Sequence, residues 1–301
     1  MTKENDDSTS LIEQAARRLS EQASGSYSEP AVASASAAPE IDDHDLDHGD
    51  QVNIDLVSLK TQGYVTPDAD RTRVAEEFRI IKRPLLENAF GRTASLVEQG
   101  NLIMVTSSLP GEGKTYSAIN LAMSIAMEMD KTVLLVDADV GRARLHRALE
   151  IPSGPGLIDL LLKPSLDAGD VMLRTNVPKL RIITRGEYHP RANELLASGD
   201  MQRLVREFAN RYEDRIIIFD APPLLVTSEA VVLSGLVGQI VFVVEAHKSL
   251  QHTVKDALGL LDTSKPIGLV LNKARSFPGA SYFGYGGYGY GYNYGPDGAG
   301  Q

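Results

Sequence analysis

Ser107-Ser108-Leu109-Pro110-Gly111-Glu112-Gly113-Lys114-Thr115 decides the fold of this chain. It follows the apolar run Leu102-Ile103-Met104-Val105 and precedes an apolar-periodic segment. A strand, a glycine-bearing loop and a helix start, in that order, make a phosphate-binding P-loop. The glycines let backbone N–H groups close around phosphate oxygens, and the helix N-terminus adds partial positive charge there. Lys114 can reach the β- and γ-phosphates, and Thr115 can offer its hydroxyl to Mg²⁺. The usual pattern opens on glycine; this chain has Ser108. Pro110, Gly111, Glu112, Gly113, Lys114 and Thr115 are therefore the expected nucleotide contacts. Tyr116 sits beside them, with ordinary helix packing as its plainer reading.

Two more apolar runs end in carboxylates. Val133-Leu134-Leu135-Val136 leads into Asp137-Ala138-Asp139, and Ile216-Ile217-Ile218-Phe219 leads into Asp220-Ala221-Pro222-Pro223. Carboxylates buried at strand ends are costly unless a cation or hydrogen bonds compensate. Beside a phosphate site Mg²⁺ is the natural compensator. Asp139 can also be read as a helix cap.

Strands are expected at 102–107, 132–137, 180–184, 215–220, 240–245 and 267–272, and helices at 114–128, 142–149, 156–163, 192–212 and 249–262. The strand runs are rich in Val, Ile and Leu and nearly continuous, as in parallel strands covered on both faces. Their alternation with helices predicts an α/β fold with a doubly wound, mostly parallel sheet, whose ligands sit at the carboxyl ends of strands. A further helix is expected over Asp70–Phe90, with Phe78, Ile81, Leu85 and Ala89 on one face and a kink or break at Pro84.

The 301 residues carry a net charge of −10 and no cysteine, which excludes disulfide and thiolate chemistry. Residues 1–60 hold 13 acidic and 4 basic side chains, so the excess belongs to this segment and the rest is close to neutral. Nothing suggests general nucleic-acid binding. The first residues lack the apolar core of a signal peptide. The stretch Val231 to Val244 is shorter than the ~20 residues of a spanning helix and reads as a helix end followed by a strand. Residues 1–65 are expected to be a largely disordered extension. It contains a short amphipathic stretch at Leu11–Leu19, an Ala/Ser-rich run, and an Asp/His cluster read as a solvated linker. The chain is expected to be soluble, with any membrane association supplied by a partner.

Residues 281–294 read Ser-Tyr-Phe-Gly-Tyr-Gly-Gly-Tyr-Gly-Tyr-Gly-Tyr-Asn-Tyr. Alternating glycine disfavours helix and weakens strand, so 275–301 is expected to be a tail with exposed phenols.

The P-loop, the Asp137-x-Asp139 strand, the Asp220-x-Pro222-Pro223 strand and this tyrosine-rich end together resemble bacterial tyrosine kinases. These are P-loop autokinases of exopolysaccharide and capsule synthesis with a MinD/ParA-like fold. The resemblance covers about residues 70–295 and implies a kinase domain over 66–274. Glu76-x-x-Arg79-x-x-Lys82 is similar to the family's oligomerisation helix. The Leu11–Leu19 segment and residues 77–86 resemble an exosortase-associated subgroup. By resemblance, Lys114 and Thr115 bind ATP and Mg²⁺. Asp137 and Asp139 complete the metal site and orient or deprotonate the incoming tyrosine. Asp220 acts on Mg²⁺ through water, and Tyr282, Tyr285, Tyr288, Tyr290, Tyr292 and Tyr294 are the acceptors. A homo-oligomeric ring, a separate transmembrane polysaccharide co-polymerase as activator, a protein-tyrosine phosphatase and a place at the inner face of the plasma membrane are implied too. The chain departs from the family at Gly141, where Arg is usual, and at Glu229, where Asp is frequent. From Lys273 to the middle tyrosines is about 15 residues, a reach of roughly 20 Å, which suits delivery to a neighbouring subunit. The rival readings are a ParA- or MinD-like ATPase switch and a non-catalytic ATP-binding scaffold. Against the switch, Leu109 stands where those proteins commonly carry a signature lysine, and the tyrosine tail has no purpose in it.

Overall fold

The computed structural model describes residues 50–68, 72–91 and 97–274. The Leu11–Leu19 segment and the tyrosine cluster lie outside these residues. Eight strands form one sheet: β1 (Gln51–Val52), β2 (Leu102–Ser107), β3 (Thr132–Asp137), β4 (Leu173–Thr175), β5 (Leu180–Ile183), β6 (Arg215–Asp220), β7 (Gln239–Glu245) and β8 (Ile267–Asn272). Their order is β1-β4-β5-β3-β6-β2-β7-β8, and every pairing is parallel except β4 with β5. β3, β6 and β2 are adjacent, so their three carboxyl ends meet at one edge of the sheet.

The strands are apolar at nearly every position because both faces are covered. Ile103, Val105, Val133, Leu135, Ile216 and Ile218 point into one core layer. Leu102, Met104, Leu134, Val136, Ile217 and Phe219 alternate with them and point into the other. The first layer is roofed by α1 (Leu56–Thr61), α2 (Arg73–Phe90) and α3 (Lys114–Ala126). The second is roofed largely by α5 (Leu157–Leu162), α7 (Ala192–Leu196), α8 (Gly199–Arg211) and α9 (Ser228–Leu236). Three further short helices, α4 (Leu145–Ala148), α6 (Ala168–Val171) and α10 (Gln251–Leu258), complete the described elements. Full burial contributes roughly 1.5–3 kcal/mol per large aliphatic or aromatic side chain. Phe219 and Phe242 are the largest such residues.

Several expectations change. Pro84 neither breaks nor divides α2, which runs unbroken from Arg73 to Phe90. Pro84 and Ile80 are both exposed, so the carbonyl that the proline leaves without a helical partner lies on the solvent side. The helix expected over 192–212 is two helices. Ser198 interrupts it and caps α8, its hydroxyl accepting from Met201 N at 3.2 Å. Of the helix expected over 142–149, only Leu145–Ala148 is helical, because Asp139 holds Arg142 N in a turn. β1 and β4, of two and three residues, were too short to show a period. Residues 50–65, placed in the extension by composition, belong to the folded unit: Val52, Ile54, Leu59 and Val65 are buried in the first core layer. Asn176 ties Ile54 down through both its backbone groups.

Gln239, fully buried at the start of β7, fastens α2 to the sheet. Its amide donates to Leu85 O and Gly100 O and accepts from Asn88 Nδ2. Gln239→Ala strands all three partners, and we expect a loss of about 2–4 kcal/mol in urea unfolding.

Candidate nucleotide and cation site

The loop from Ser107 to Thr115 joins β2 to α3. Gly113 caps α3 at φ +106°, a left-handed conformation that L side chains rarely adopt. A Cβ there would also lie 1.9 Å from Asn272 Nδ2. Gly111 is left-handed too, at φ +91°. The loop is shaped from behind by residues far away in sequence. Asn272 Nδ2 donates to Glu112 O at 2.9 Å, and Lys273 Nζ donates to Gly111 O at 2.7 Å. Lys273 is itself paired with Glu245 at 3.1 Å. The Glu112 carboxylate turns inward, accepting from Leu109 N and from the Ser249 hydroxyl. These contacts fix the backbone of the loop from its back.

Sequence reasoning took Glu112 as a phosphate-loop residue and missed Asn272, Lys273 and Ser249. They act through the pairing of β7 with β8, which no local pattern announces. Asn272→Ala frees the Glu112 carbonyl. We expect nucleotide affinity to fall by about tenfold, read by titration calorimetry, with little change in unfolding midpoint.

Lys114 and Asp139 are both buried and lie 3.8 Å apart. Asp137 and Asp220 are register partners at the ends of β3 and β6. Asp137 Oδ2 accepts from Leu145 N at 3.3 Å, while Asp137 Oδ1 and both Asp220 oxygens have no hydrogen-bond partner. Burial, then the neighbouring Asp220 and Asp139 charges, push the Asp137 carboxyl well above its usual range. Burial pushes Asp220 up to about 7, with the nearby Thr115 hydroxyl and Lys114 ammonium offsetting part of the rise. Three orphaned carboxylate oxygens on two neighbouring strand ends, with the Thr115 hydroxyl nearby, suit a hard divalent cation. Among the described residues no cluster of three or more His, Asp or Glu could hold a metal alone. A cation here would therefore complete its shell with water and ligand phosphates, as Mg²⁺ does.

A cavity of about 420 Å³ opens over the loop, lined in part by Gly111, Gly113, Lys114, Thr115 and Asp139. Tyr116 also borders it, but its hydroxyl donates to Gly63 O at 2.8 Å and its ring packs 4.9 Å from that of Tyr64. Its place is thus mainly the packing one. Glu229 is buried in α9 with Oε2 unpaired.

The oligomerisation triplet is split. Glu76 and Arg79 pair with each other on the exposed face of α2. Lys82 turns inward against α3, donating to Ser124 O at 2.6 Å and pairing with Glu128. It is only 4% exposed and is not available to a neighbour.

No protein-family model matches the chain. A curated relative does. The putative tyrosine-protein kinase CapB of Staphylococcus aureus is 30% identical over 223 residues, covering 73% of this chain and 93% of CapB. This chain belongs to the bacterial tyrosine-protein kinases. The tyrosine-protein kinase YwqD of Bacillus subtilis is similar at 32% identity over 214 residues, 70% of this chain and 86% of YwqD. In structure, the kinase resembles the chimerical protein CapA2B2 with a TM-score of 0.61 at 27% identity, over 75% of this chain and 95% of that one. Among the described residues of the kinase, no helix is long and apolar enough to cross a membrane.

Proposed function

We propose that this tyrosine kinase transfers the γ-phosphoryl group of Mg²⁺-ATP to its own C-terminal tyrosines, in trans within an oligomer. The observation that carries the reading is the orphaned Asp137–Asp220 pair beside Lys114 and Thr115. A nucleotide fits the 420 Å³ cavity with its phosphates on the loop. The loop's N–H groups and Lys114 neutralise the β- and γ-phosphates. Thr115, Asp137 and Asp220 are the residues that would hold Mg²⁺, which would supply charge neutralisation at the phosphates. Asp139 lines the cavity, whereas Asp137 and Asp220 are fully buried and outside its lining. This supports giving Asp139 the tyrosine hydroxyl: it would orient the nucleophile and take its proton as the new O–P bond forms and the bridging bond to ADP breaks. Lys114, paired with Asp139, holds this carboxylate in place. The chemistry asks mainly for positioning and charge neutralisation.

Glu76, Arg79 and the exposed Ile80 offer a face of α2 to a second copy. The remaining parts of the proposal follow from the family: assembly as a ring, a membrane co-polymerase as activator, a phosphatase as antagonist, and control of exopolysaccharide export at the inner membrane face. Full modification of six tyrosines adds about −9 to −12 charges to an almost neutral segment, which would loosen the assembly by repulsion.

The test is incubation of full-length protein with Mg²⁺-ATP, with and without the activator's cytoplasmic segment, followed by intact mass and peptide mapping. Additions confined to Tyr282–Tyr294 support the proposal. No addition in either condition overturns it in favour of an ATP-binding scaffold.

A further inference from the structure

A second cavity, of about 470 Å³, adjoins the first; both are bordered by Gly141, Arg142 and Arg144. Arg142, Arg144, Arg147, Arg185 and His146 line it, and no Asp or Glu does. Other arginines of the fold pair with carboxylates, as Arg73, Arg79, Arg203 and Arg211 do. Among the described residues the four arginines of the cavity have no such pair. Burial, then the charges of Arg147 and Arg185, hold the His146 imidazole below its usual range.

The floor is built. Arg185 is anchored on Gly186 O and Val140 O. Asp159 holds the adjacent loop through Gly156 N and Glu187 N. Thr184, 3% exposed and part of the lining, has a hydroxyl with no partner. Guanidinium groups match phosphate oxygens with paired N–H donors, and an unpartnered hydroxyl supplies one more. The cavity's volume fits a phosphate that carries an aromatic ring.

We propose that this cavity binds the phosphate monoester of a phosphotyrosine, supplied by an already modified C-terminal segment of a copy of this chain. The inference rests on the kinase reading for its ligand. Residues 275–301 contain one Arg and one Asp, so the unmodified segment brings no net charge to the arginines. Each transfer creates an aryl phosphate dianion next to the site that made it. Held here, the modified tyrosine keeps its neighbours beside Asp139 and favours repeated transfer along one segment.

The test uses full-length protein saturated with Mg²⁺ and a non-hydrolysable ATP analogue, titrated with fluorescent peptides spanning residues 281–294. One peptide is unmodified and one carries phosphotyrosine at position 288. The phosphopeptide should bind at least tenfold more tightly. Arg147→Gln and Thr184→Val should each weaken it at least threefold, with unchanged unfolding midpoints; Arg147 holds no other described residue by a side-chain hydrogen bond. Equal affinity of the two peptides overturns the inference, as does indifference to both substitutions. Phosphopeptide binding that is present in a parallel titration without the analogue and lost with it would overturn the inference and assign the arginines to the nucleotide. Inorganic phosphate displacing the peptide only at far higher concentration identifies the aryl phosphate as ligand; equally tight displacement means a free-phosphate site and overturns the source. The synthetic peptide needs no turnover, so failure here leaves the autophosphorylation test untouched.

Discussion

In the Lys114→Met protein, phosphate transfer to the C-terminal tyrosines falls by about 10²–10³-fold or more under saturating Mg²⁺-ATP, measured as the initial rate of mass addition. The reason is double. Methionine cannot neutralise the transferring phosphoryl group, and it also removes the cation 3.8 Å from Asp139. Asp139 then loses the partner that holds it in place for the tyrosine hydroxyl. The packing cost is small, since methionine fills much of the same channel. The purified variant should retain its fold and its unfolding cooperativity. A rate within tenfold of the parent would show that the loop's N–H groups and the cation carry the charge without the lysine.

The second large effect concerns stability. Below about pH 4, Asp220 is protonated in both the folded and the unfolded chain. Between about 4 and its folded value of about 7, the unfolded chain gives up the proton and the folded chain keeps it, so stability falls as pH rises. Above about 7 the full cost of a buried, unpartnered carboxylate is present, on the order of 3–4 kcal/mol. Asp220→Asn removes it. Without divalent cation we expect the variant to melt roughly 5–10 °C above the parent at pH 8. The difference should shrink to a few degrees at pH 5. Mg²⁺ with nucleotide should raise the parent's midpoint and leave the variant's nearly unchanged, while transfer activity is lost. A variant less stable than the parent at pH 8 would mean that the carboxylate is already satisfied in the folded chain.

Much of this was readable along the chain. The strands that bear the P-loop and the two Asp motifs are continuous apolar runs because both their faces are buried, and such runs need no alternation to be seen. The motif residues stand at their ends, where a single aspartate breaks the apolar composition. Asn272 and Lys273 were not readable, because their role arises from β8 pairing with β7 and swinging its end behind the loop. Lys82 misled: a cation at helical spacing from Arg79 reads as a surface charge. Only packing against α3 shows its stem buried and its ammonium on Ser124 O. The division of α8 from α7 was encoded in Ser198, whose capping role is invisible until the helix on its far side is known to turn. The family resemblance gave Asp137 and Asp139 a shared role; the proposed split between cation and tyrosine comes from the cavity, which Asp139 lines and Asp137 does not.

Asp137 opposite Asp220 has one more implication, for which sequence changes this protein can survive. Strands that are apolar on both faces tolerate sliding past each other, since a shifted strand still presents Val, Ile or Leu to either layer. A one-residue slide of β3 against β6 would send one carboxylate to the opposite side of the sheet and dissolve the pair. Single-residue insertions or deletions inside these strands should therefore yield proteins that fold yet are catalytically silent. The two aspartates act as an alignment mark that the hydrophobic core itself does not carry.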